Sequence, residues 1–185
     1  MKIEKTELQD AYIIVPDVFG DSRGWFMETY SKIKLEGSID VEFVQDNQSY
    51  SSQKGIIRGL HCQTNPHCQS KLIRCTKGEI YDYIVDIRKG SPTYKKWIKV
   101  LLSAENKKQL FIPKGFLHGF ETLTDDVEVQ YKVDDYYSKE CDRSVRFDDP
   151  EFGVEWETKE PILSDKDKNA PLYSDSDCDF VYEEK

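Results

Sequence analysis

The sequence predicts an all-β fold, a sandwich or a closed barrel, in a single domain spanning residues 1–185. Short runs of strand length, rich in β-branched and aromatic residues, recur along the chain. Turn signals such as KGE, RKGSP and PKG separate these runs. A chain of 185 residues is long enough for one hydrophobic core and too short to expect two.

The predicted strands lie in the first two thirds of the chain. They cover 11–15, 25–30, 41–49, 55–61, 71–76, 79–87, 97–103, 109–113, 118–123 and 127–133. Only 31–37 and short pieces after Asp148 have helical character. The last third is irregular and is expected to wrap the β core. It ends in an acidic tail, 172–185, which is expected to be a solvated and mobile end.

Charge and composition exclude several classes of function. The formal net charge is −9, from 26 basic and 35 acidic residues, so broad binding to a nucleic-acid backbone is not expected. No apolar run approaches the roughly eighteen residues of a membrane helix. The first residues contain no apolar segment, so no secretory signal is expected. Five cysteines without a C-x-x-C pair argue against a disulfide framework or a zinc knuckle and indicate a reducing cytoplasm.

Three proton-handling side chains lie on the more apolar faces of predicted strands, because side chains alternate faces along a strand. His61 shares its face with Ile57 and Gly59, Lys71 with Ile73 and Cys75, and Tyr131 with Val127, Val129 and Val133. A single tyrosine or histidine in such a place is more often structural. Lysine is almost never fully buried unless paired. Together, the three predict a polar pocket inside the β core.

Strict alternation creates one conflict in the segment GIIRGLH. It places Arg58 on the face opposite His61. A β-bulge at Gly59 would re-aim one of the two side chains.

The segment PKGFLH contains the pattern P-x-G-x-x-H, formed by Pro113, Gly115 and His118. This pattern resembles the second motif of cupins, small β barrels that often bind a metal. Their first motif, with an H-x-H pair, is absent, and the chain has only three histidines. A mononuclear metal site usually needs three or four protein ligands, so no metal is expected.

A broader resemblance covers nearly the whole chain, from about Ile13 to Pro171. The segments FGDSRGWFMETY, FVQDNQSYS, KGIIRGLH, GEIYDYIVDIRKGSPTY, LSAENKKQLFIPKGFLHGF, VQYKVDDYYS, FDDPEFGVEW and ILSDKDKNAP follow one another in order. They resemble the dTDP-4-dehydrorhamnose 3,5-epimerase family. The resemblance implies a cupin-type β barrel, or jelly roll, with short peripheral helices. It also implies a homodimer, no metal or organic cofactor, and a dTDP-linked 4-keto-6-deoxy sugar as the substrate for L-rhamnose synthesis.

The resemblance also implies roles for individual residues. His61 matches the family's general base, Tyr131 its general acid, and Lys71 the lysine beside the keto oxygen. Asp167 matches the carboxylate that partners the base, with Asp165 as the weaker candidate. Substrate contacts match Arg23, Phe26, Glu28, Gln45, Asn47, Arg58 and His118, and positions bordering the site match Tyr137, Asp142 and Lys166. In the family, the strand that carries Phe26 and Glu28 reaches across the dimer into the partner's site.

These residue types suit inversion beside a ketone. A C–H next to a carbonyl is acidic because its conjugate base is an enolate. Inversion then needs a base such as His61, an acid on the other face such as Tyr131, and a cation such as Lys71 for the enolate oxygen.

The sequence departs from the family pattern at Cys62, Leu117 and Glu157, where an aromatic residue, alanine and proline are usual. These changes put the local shape of the pocket in question. Cys62 could be a nucleophile, although a small buried hydrophobe is the more common role for such a cysteine.

Three alternatives remain open from the sequence. A 3-only or 5-only epimerase, or a ketoisomerase on a related nucleotide sugar, would use the same residues. A metal-dependent cupin enzyme, such as a dioxygenase, would use His61 and His118 as ligands. A non-catalytic sugar-binding barrel would bind the nucleotide sugar without proton exchange.

Overall fold

The computed structural model describes residues 1–184 and confirms the predicted all-β class. The strands are β1 (Lys2–Lys5), β2 (Tyr12–Val15), β3 (Val18–Asp21), β4 (Gly24–Met27), β5 (Gln45–Ser51), β6 (Ile57–Gln63), β7 (Lys71–Lys77), β8 (Glu79–Asp86), β9 (Arg88–Lys89), β10 (Trp97–Ser103), β11 (Gln109–Ile112), β12 (Phe116–Thr122), β13 (Val127–Val133), β14 (Asp142–Ser144) and β15 (Phe180–Val181). The helices are α1 (Lys32–Leu35), α2 (Asp165–Lys168) and a 3₁₀ turn at Tyr173–Asp175.

Two antiparallel sheets form the body of the protein. The larger has the strand order β1-β2-β11-β7-β13-β5, and the smaller has the order β10-β8-β12-β6-β14. Their inner faces enclose the main core, to which β7, β11 and β13 contribute from one side and β8, β10 and β12 from the other. Burial of apolar side chains between the sheets is the main driving force for this arrangement.

Both sheets are also covered on their outer faces. Leu35 and Ile39, in and after α1, pack on Ile14, Leu72 and Phe111 of the larger sheet. The C-terminal segment covers the smaller sheet through Phe152, Tyr173, Cys178 and Phe180. Strands buried on two faces have continuous apolar runs instead of alternating ones, which explains why every residue of β11 and β12 is buried.

The acidic tail differs from its sequence-based description. Tyr173, Cys178 and Phe180 are buried, and β15 pairs in parallel with β9. Carboxylates alternate with apolar residues in this segment, so its high charge does not make it a solvated end. The expectation of a solvated tail was therefore wrong for residues 172–182, whereas Glu183 and Glu184 are exposed and Lys185 lies outside the described residues.

The predicted strand at 25–30 is part of a hairpin. Strands β3 and β4 pair with each other in a separate two-stranded sheet. Phe19, Trp25 and Phe26 are 63%, 59% and 65% exposed there. Three large aromatic side chains in water on one short ribbon form an uncommon surface for a monomer.

No helix within residues 1–184 combines the length and the apolar character needed to cross a membrane.

Candidate active site

A cavity of about 450 Å³ opens between the two sheets, beside the main core. His61, His118 and Phe120 line it from the smaller sheet, and Lys71 and Tyr131 from the larger. The remaining wall comes from strand β5, the start of β6 and the segment that leads into α2. It consists of Ser49, Ile56, Ile57, Arg58, Ile162, Leu163, Ser164, Lys166 and Asp167.

A β-bulge at Gly59 brings both Arg58 and His61 to this cavity. His118 of β12 lies opposite His61, and Phe120 lies opposite Arg58, so β6 has one residue more than β12 between these pairs. Gly59 has a φ of +140°, and a Cβ there would lie 2.5 Å from the Gly119 Cα. The two backbones approach so closely that only glycine fits. The bulge resolves the conflict between Arg58 and strict alternation.

His61 forms a hydrogen-bonded pair with a buried carboxylate. Its Nε2 lies 2.5 Å from the Asp167 Oδ1, and the Asp167 side chain is only 4% exposed. Helix α2 turns Asp167 inward and leaves Asp165 exposed, so Asp167 is the carboxylate that contacts the histidine. Burial alone would raise the pKa of Asp167. The hydrogen bond and charge of His61, together with hydrogen bonds from Ser164 and the Gly59 backbone N–H, outweigh that effect, and the pKa lies below its usual value.

Lys71 is held from the opposite sheet by a second histidine–carboxylate pair. Its Nζ lies 3.5 Å from His118 Nδ1, and His118 Nε2 lies 3.0 Å from Asp82 Oδ2. Burial lowers the pKa of His118, and the nearby Lys71 ammonium lowers it further, which favours the neutral ring. A neutral His118 that donates from Nε2 to Asp82 presents a lone pair on Nδ1 to Lys71.

Asp82 is fully buried in β8 and was not among the site residues predicted from the sequence. Its Oδ1 has no hydrogen-bond partner within the described residues. The sequence contained a signal for this residue. Asp82 shares one face of the strand with Ile80 and Ile84, so it is expected to point into the core. A lone carboxylate on an apolar face requires a donor close by.

Tyr131 and Lys71 are neighbours on the larger sheet. Tyr131 lies opposite Ile73 in the ladder between β13 and β7, and the Lys71 Nζ is 6.0 Å from the centre of the Tyr131 ring. Burial raises the pKa of the Tyr131 hydroxyl, so it remains protonated well above neutral pH. Burial lowers the pKa of Lys71. Lys71 shares its inward face with Ile73 and Cys75, as the alternation predicts.

Of the other predicted contacts, Arg58 and Lys166 line the cavity, whereas Gln45, Asn47, Tyr137 and Asp142 do not. Asn47 lies opposite Tyr131 in the β13–β5 ladder and accepts a hydrogen bond from Gln45 at 2.9 Å. Lys166 lies 2.6 Å from Asp142 Oδ2, and the Tyr137 hydroxyl lies 3.5 Å from the same oxygen. Arg58 donates to the Tyr50 carbonyl and the Ser51 hydroxyl, and its side chain is exposed at the mouth of the cavity.

Arg23, Phe26 and Glu28 lie elsewhere. Among the described residues, none of these three lines the cavity around His61. Arg23 and Phe26 border a separate surface depression on the β3–β4 hairpin, where Arg23 pairs with Asp21. Glu28 forms an ion pair with Lys34.

The three departures from the family pattern also lie outside the cavity lining. Cys62 and Leu117 face the outer core under the C-terminal segment, where the Cys62 Sγ is 3.5 Å from the Cys178 Sγ. Glu157 forms an ion pair with Lys99 at the surface. None of the three is among the residues that line the cavity.

Within the part of the chain that the structure describes, no group of three or more His, Cys, Asp and Glu side chains is arranged to hold a metal ion. His61 and His118, the two ligands that a metal cupin would use, are each paired with a carboxylate.

The family model, the sequence relatives and the solved structures that resemble this chain all point to one family. The family model for dTDP-4-dehydrorhamnose 3,5-epimerase matches residues 5–175. The dTDP-4-dehydrorhamnose 3,5-epimerase of Shigella flexneri is 50% identical over 179 residues, which cover 96% of this chain and 98% of that protein.

Two solved structures are similar throughout. The Bacillus anthracis dTDP-4-dehydrorhamnose 3,5-epimerase, with TDP and PPi bound, is 51% identical with a TM-score of 0.90, and the match covers 92% of this chain and 98% of that one. The Legionella pneumophila dTDP-6-deoxy-D-glucose-3,5-epimerase, in complex with dTDP-4-keto-L-rhamnose, is 41% identical with a TM-score of 0.93, and 99% of each chain is covered. These neighbours confirm the cupin-type fold predicted from the sequence.

Proposed function

Because the chain belongs to the dTDP-4-dehydrorhamnose 3,5-epimerase family, we propose that its cavity inverts C3 and C5 of dTDP-4-keto-6-deoxy-D-glucose. The product is dTDP-4-keto-L-rhamnose, the compound bound in the Legionella structure. One observation carries the proposal at the level of residues. His61 and Tyr131 project from opposite sheets into a single cavity, so a sugar ring between them meets a base on one face and an acid on the other.

His61 is the general base. Its Nε2 is committed to Asp167, which leaves Nδ1 to accept the proton from the carbon beside the ketone. Asp167 fixes this tautomer and stabilises the imidazolium that forms. The low pKa of Asp167 keeps it ionised at neutral pH, as this role requires.

Lys71 stabilises the enolate. When the C–H bond breaks, its electron pair moves into the ring and negative charge develops on the C4 oxygen. Lys71 presents a half-buried ammonium to that oxygen, where a fixed charge is most effective. His118, itself held by Asp82, directs the ammonium into the cavity.

Tyr131 then delivers a proton to the other face of the carbon. The enolate collapses to the ketone, and the tyrosine is left as a phenolate opposite an imidazolium. Both groups return to their starting states by proton exchange with water. Repeating the cycle at the second carbon completes the double inversion, and neither step changes the oxidation state of the sugar.

The test is NMR of the substrate with the protein in D₂O. Deuterium should enter both C3 and C5, because Tyr131 carries solvent deuterium, and His61→Asn should abolish incorporation. Deuterium at one carbon only would indicate a mono-epimerase or a ketoisomerase instead. Binding without exchange would indicate a sugar-binding barrel and refute the proposed reaction.

We further propose a homodimer in which the β3–β4 hairpin completes the partner's site. The hairpin carries Arg23, Phe26 and Glu28, and its aromatic residues are exposed in the single chain. At the cavity mouth, Arg58 is suited to the substrate's diphosphate, and a second arginine from the partner would let two guanidinium groups bind it. Strand β5, which carries Gln45 and Asn47, forms an open edge of the larger sheet beside this mouth.

Mixing two inactive variants tests this exchange. In a mixed dimer of His61→Asn with Arg23→Ala/Phe26→Ala, one site combines an intact His61 with an intact hairpin from the other chain. Random re-association should restore roughly a quarter of the wild-type activity. No recovery in dimers shown to have mixed would mean that each hairpin serves its own chain. A monomer by sedimentation would also overturn the proposal.

We also infer that the protein works in a reducing cytoplasm. All five cysteines are free and buried, and the Cys62 and Cys178 sulfurs are separated by far more than the roughly 2.05 Å of a disulfide. Alkylation during cell lysis, followed by mass measurement of the denatured chain, should find five modified thiols. A disulfide in protein quenched inside cells would contradict this location.

A further inference from the structure

We propose that Ser164 is a positioning residue for proton transfer, because its hydroxyl holds the Asp167 carboxylate turned towards His61. This inference rests on the proposed function, since it assigns Asp167 the task of supporting the base. Ser164 is the residue before α2, and Asp167 is the third residue of that helix.

The hydroxyl of Ser164 makes two contacts with the same residue. Its oxygen accepts a hydrogen bond from the Asp167 backbone N–H at 3.1 Å, which is the usual bond of a helix N-cap. It also lies 3.0 Å from the Asp167 Oδ2. A carboxylate only accepts, so the single hydroxyl hydrogen of Ser164 points to Oδ2.

The two carboxylate oxygens of Asp167 therefore have separate partners. Oδ1 accepts from His61 Nε2, and Oδ2 accepts from Ser164. In an ordinary capping box, the third side chain turns back to the backbone N–H of the cap. Here the hydroxyl draws the carboxylate into a different orientation, in which its free oxygen faces the histidine.

Burial makes this contact important. The Asp167 side chain is almost entirely covered, so most of its contacts are with protein groups and few are with water. Burial acts to raise the pKa of Asp167, and the bond from Ser164 is one of the interactions that lower it. Loss of the donor would leave the carboxylate less stable as an anion, and its orientation towards His61 would depend on the remaining hydrogen bonds from His61 and the Gly59 backbone N–H.

Three variants separate this role from simple helix capping. Ser164→Thr retains a hydroxyl that both caps the helix and donates. Ser164→Asp remains a good cap but cannot donate to a second carboxylate. Ser164→Gly also lacks the donor, costs little as a cap, and adds no charge next to the anionic substrate.

We expect kcat to fall about 10-fold or more in Ser164→Asp and Ser164→Gly, which is the size of effect typical for loss of a group that orients an active-site side chain. Ser164→Thr should keep a kcat near that of the wild type, and Ser164→Gly should keep a melting temperature near that of the wild type, because glycine costs little as a helix cap. The added charge in Ser164→Asp should raise KM, an effect that Ser164→Gly should not share. Capping alone would instead leave kcat in Ser164→Asp unchanged, and that result would overturn the proposal.

A second readout does not depend on turnover. ¹⁵N NMR of histidine-labelled protein, with His61→Asn to assign the signal, should show the Nε2–H tautomer of His61 in the wild type and in Ser164→Thr. This preference should weaken in Ser164→Asp and Ser164→Gly. An unchanged tautomer in both would refute the role of Ser164. Absence of deuterium exchange in the wild type would refute the proposed function. The effect of Ser164 on the His61 tautomer would still be decided by the NMR measurement.

Discussion

Replacing Asp167 by asparagine tests the acid–base assignment with almost no change in shape. Ser164 still donates to the one remaining oxygen of the side chain, because its hydroxyl is fixed by the cap. The new amide nitrogen therefore faces His61 Nε2, where Oδ1 now lies. The amide donates, so His61 must accept at Nε2 and carry its hydrogen on Nδ1. A protonated Nδ1 cannot take a proton from the substrate.

The size of the effect follows from the contacts that are lost. A hydrogen bond to a charged group contributes about 1.5–3 kcal/mol, and the imidazolium loses one. If His61 in the variant returns to the tautomer with its hydrogen on Nε2, that N–H faces the N–H of the new asparagine inside the protein. Two opposed donors cost about 1–3 kcal/mol. Together these give about 2.5–6 kcal/mol. At 1.36 kcal/mol for each factor of ten, kcat should fall by roughly 10²–10⁴.

The assay is the rate of deuterium entry at C3 and C5 under saturating substrate, with KM measured separately. Asp165→Asn is the matched control, since it makes the same change on the exposed side of the same short helix and should leave kcat within about twofold. If Asp167→Asn retained more than about a tenth of the wild-type kcat, Asp167 would not control the His61 tautomer and the reasoning would fail.

Three further predictions follow from the same structure. Gly59→Ala should destabilise the fold by about 3–5 kcal/mol in urea unfolding, because a Cβ there would clash with the opposite backbone. Gly24→Ala is the control, since Gly24 has a φ of +137° but open space around it, and it should cost only about 1–3 kcal/mol. Equal losses would mean that the close approach of the two backbones at Gly59 is not real. The alkaline limb of kcat/KM should lie below pH 10.5, since burial lowers the pKa of Lys71 and its cation is lost as pH rises. Lys71→Arg should move that limb upward in whatever activity remains, and an unmoved limb would assign it to another group. Glu121→Gln should lower the free energy of unfolding by about 2–3 kcal/mol. The buried carboxylate accepts hydrogen bonds from two backbone N–H groups of the segment that leads to the cavity. A loss below about 0.5 kcal/mol would show that those hydrogen bonds are dispensable.

The strand pattern and the chemistry of single residues were readable from the sequence. In KLIRCT and VEVQYKV, side chains alternate between two faces, so Lys71 and Tyr131 could be placed in the interior without coordinates. The same pattern in EIYDYIVDI would have placed Asp82 inside as well. The strand at 25–30 was predicted, but its partner β3 was not. The aromatic side chains of this hairpin face water, so the hairpin has no buried face whose alternation would mark both strands.

By itself, the sequence determined that this is an all-β chain with a histidine, a tyrosine and a lysine on inward faces, because local sterics set the period of a strand. Tertiary structure alone decided which groups meet. The bulge that turns Arg58 and His61 to one cavity exists because Gly59 and Gly119 touch across two strands. Asp167 was selected over Asp165 when α2 packed beside β6, more than a hundred residues away in the chain. Such pairings depend on contacts between distant segments, which are set by packing of the whole core and leave no local pattern in the sequence.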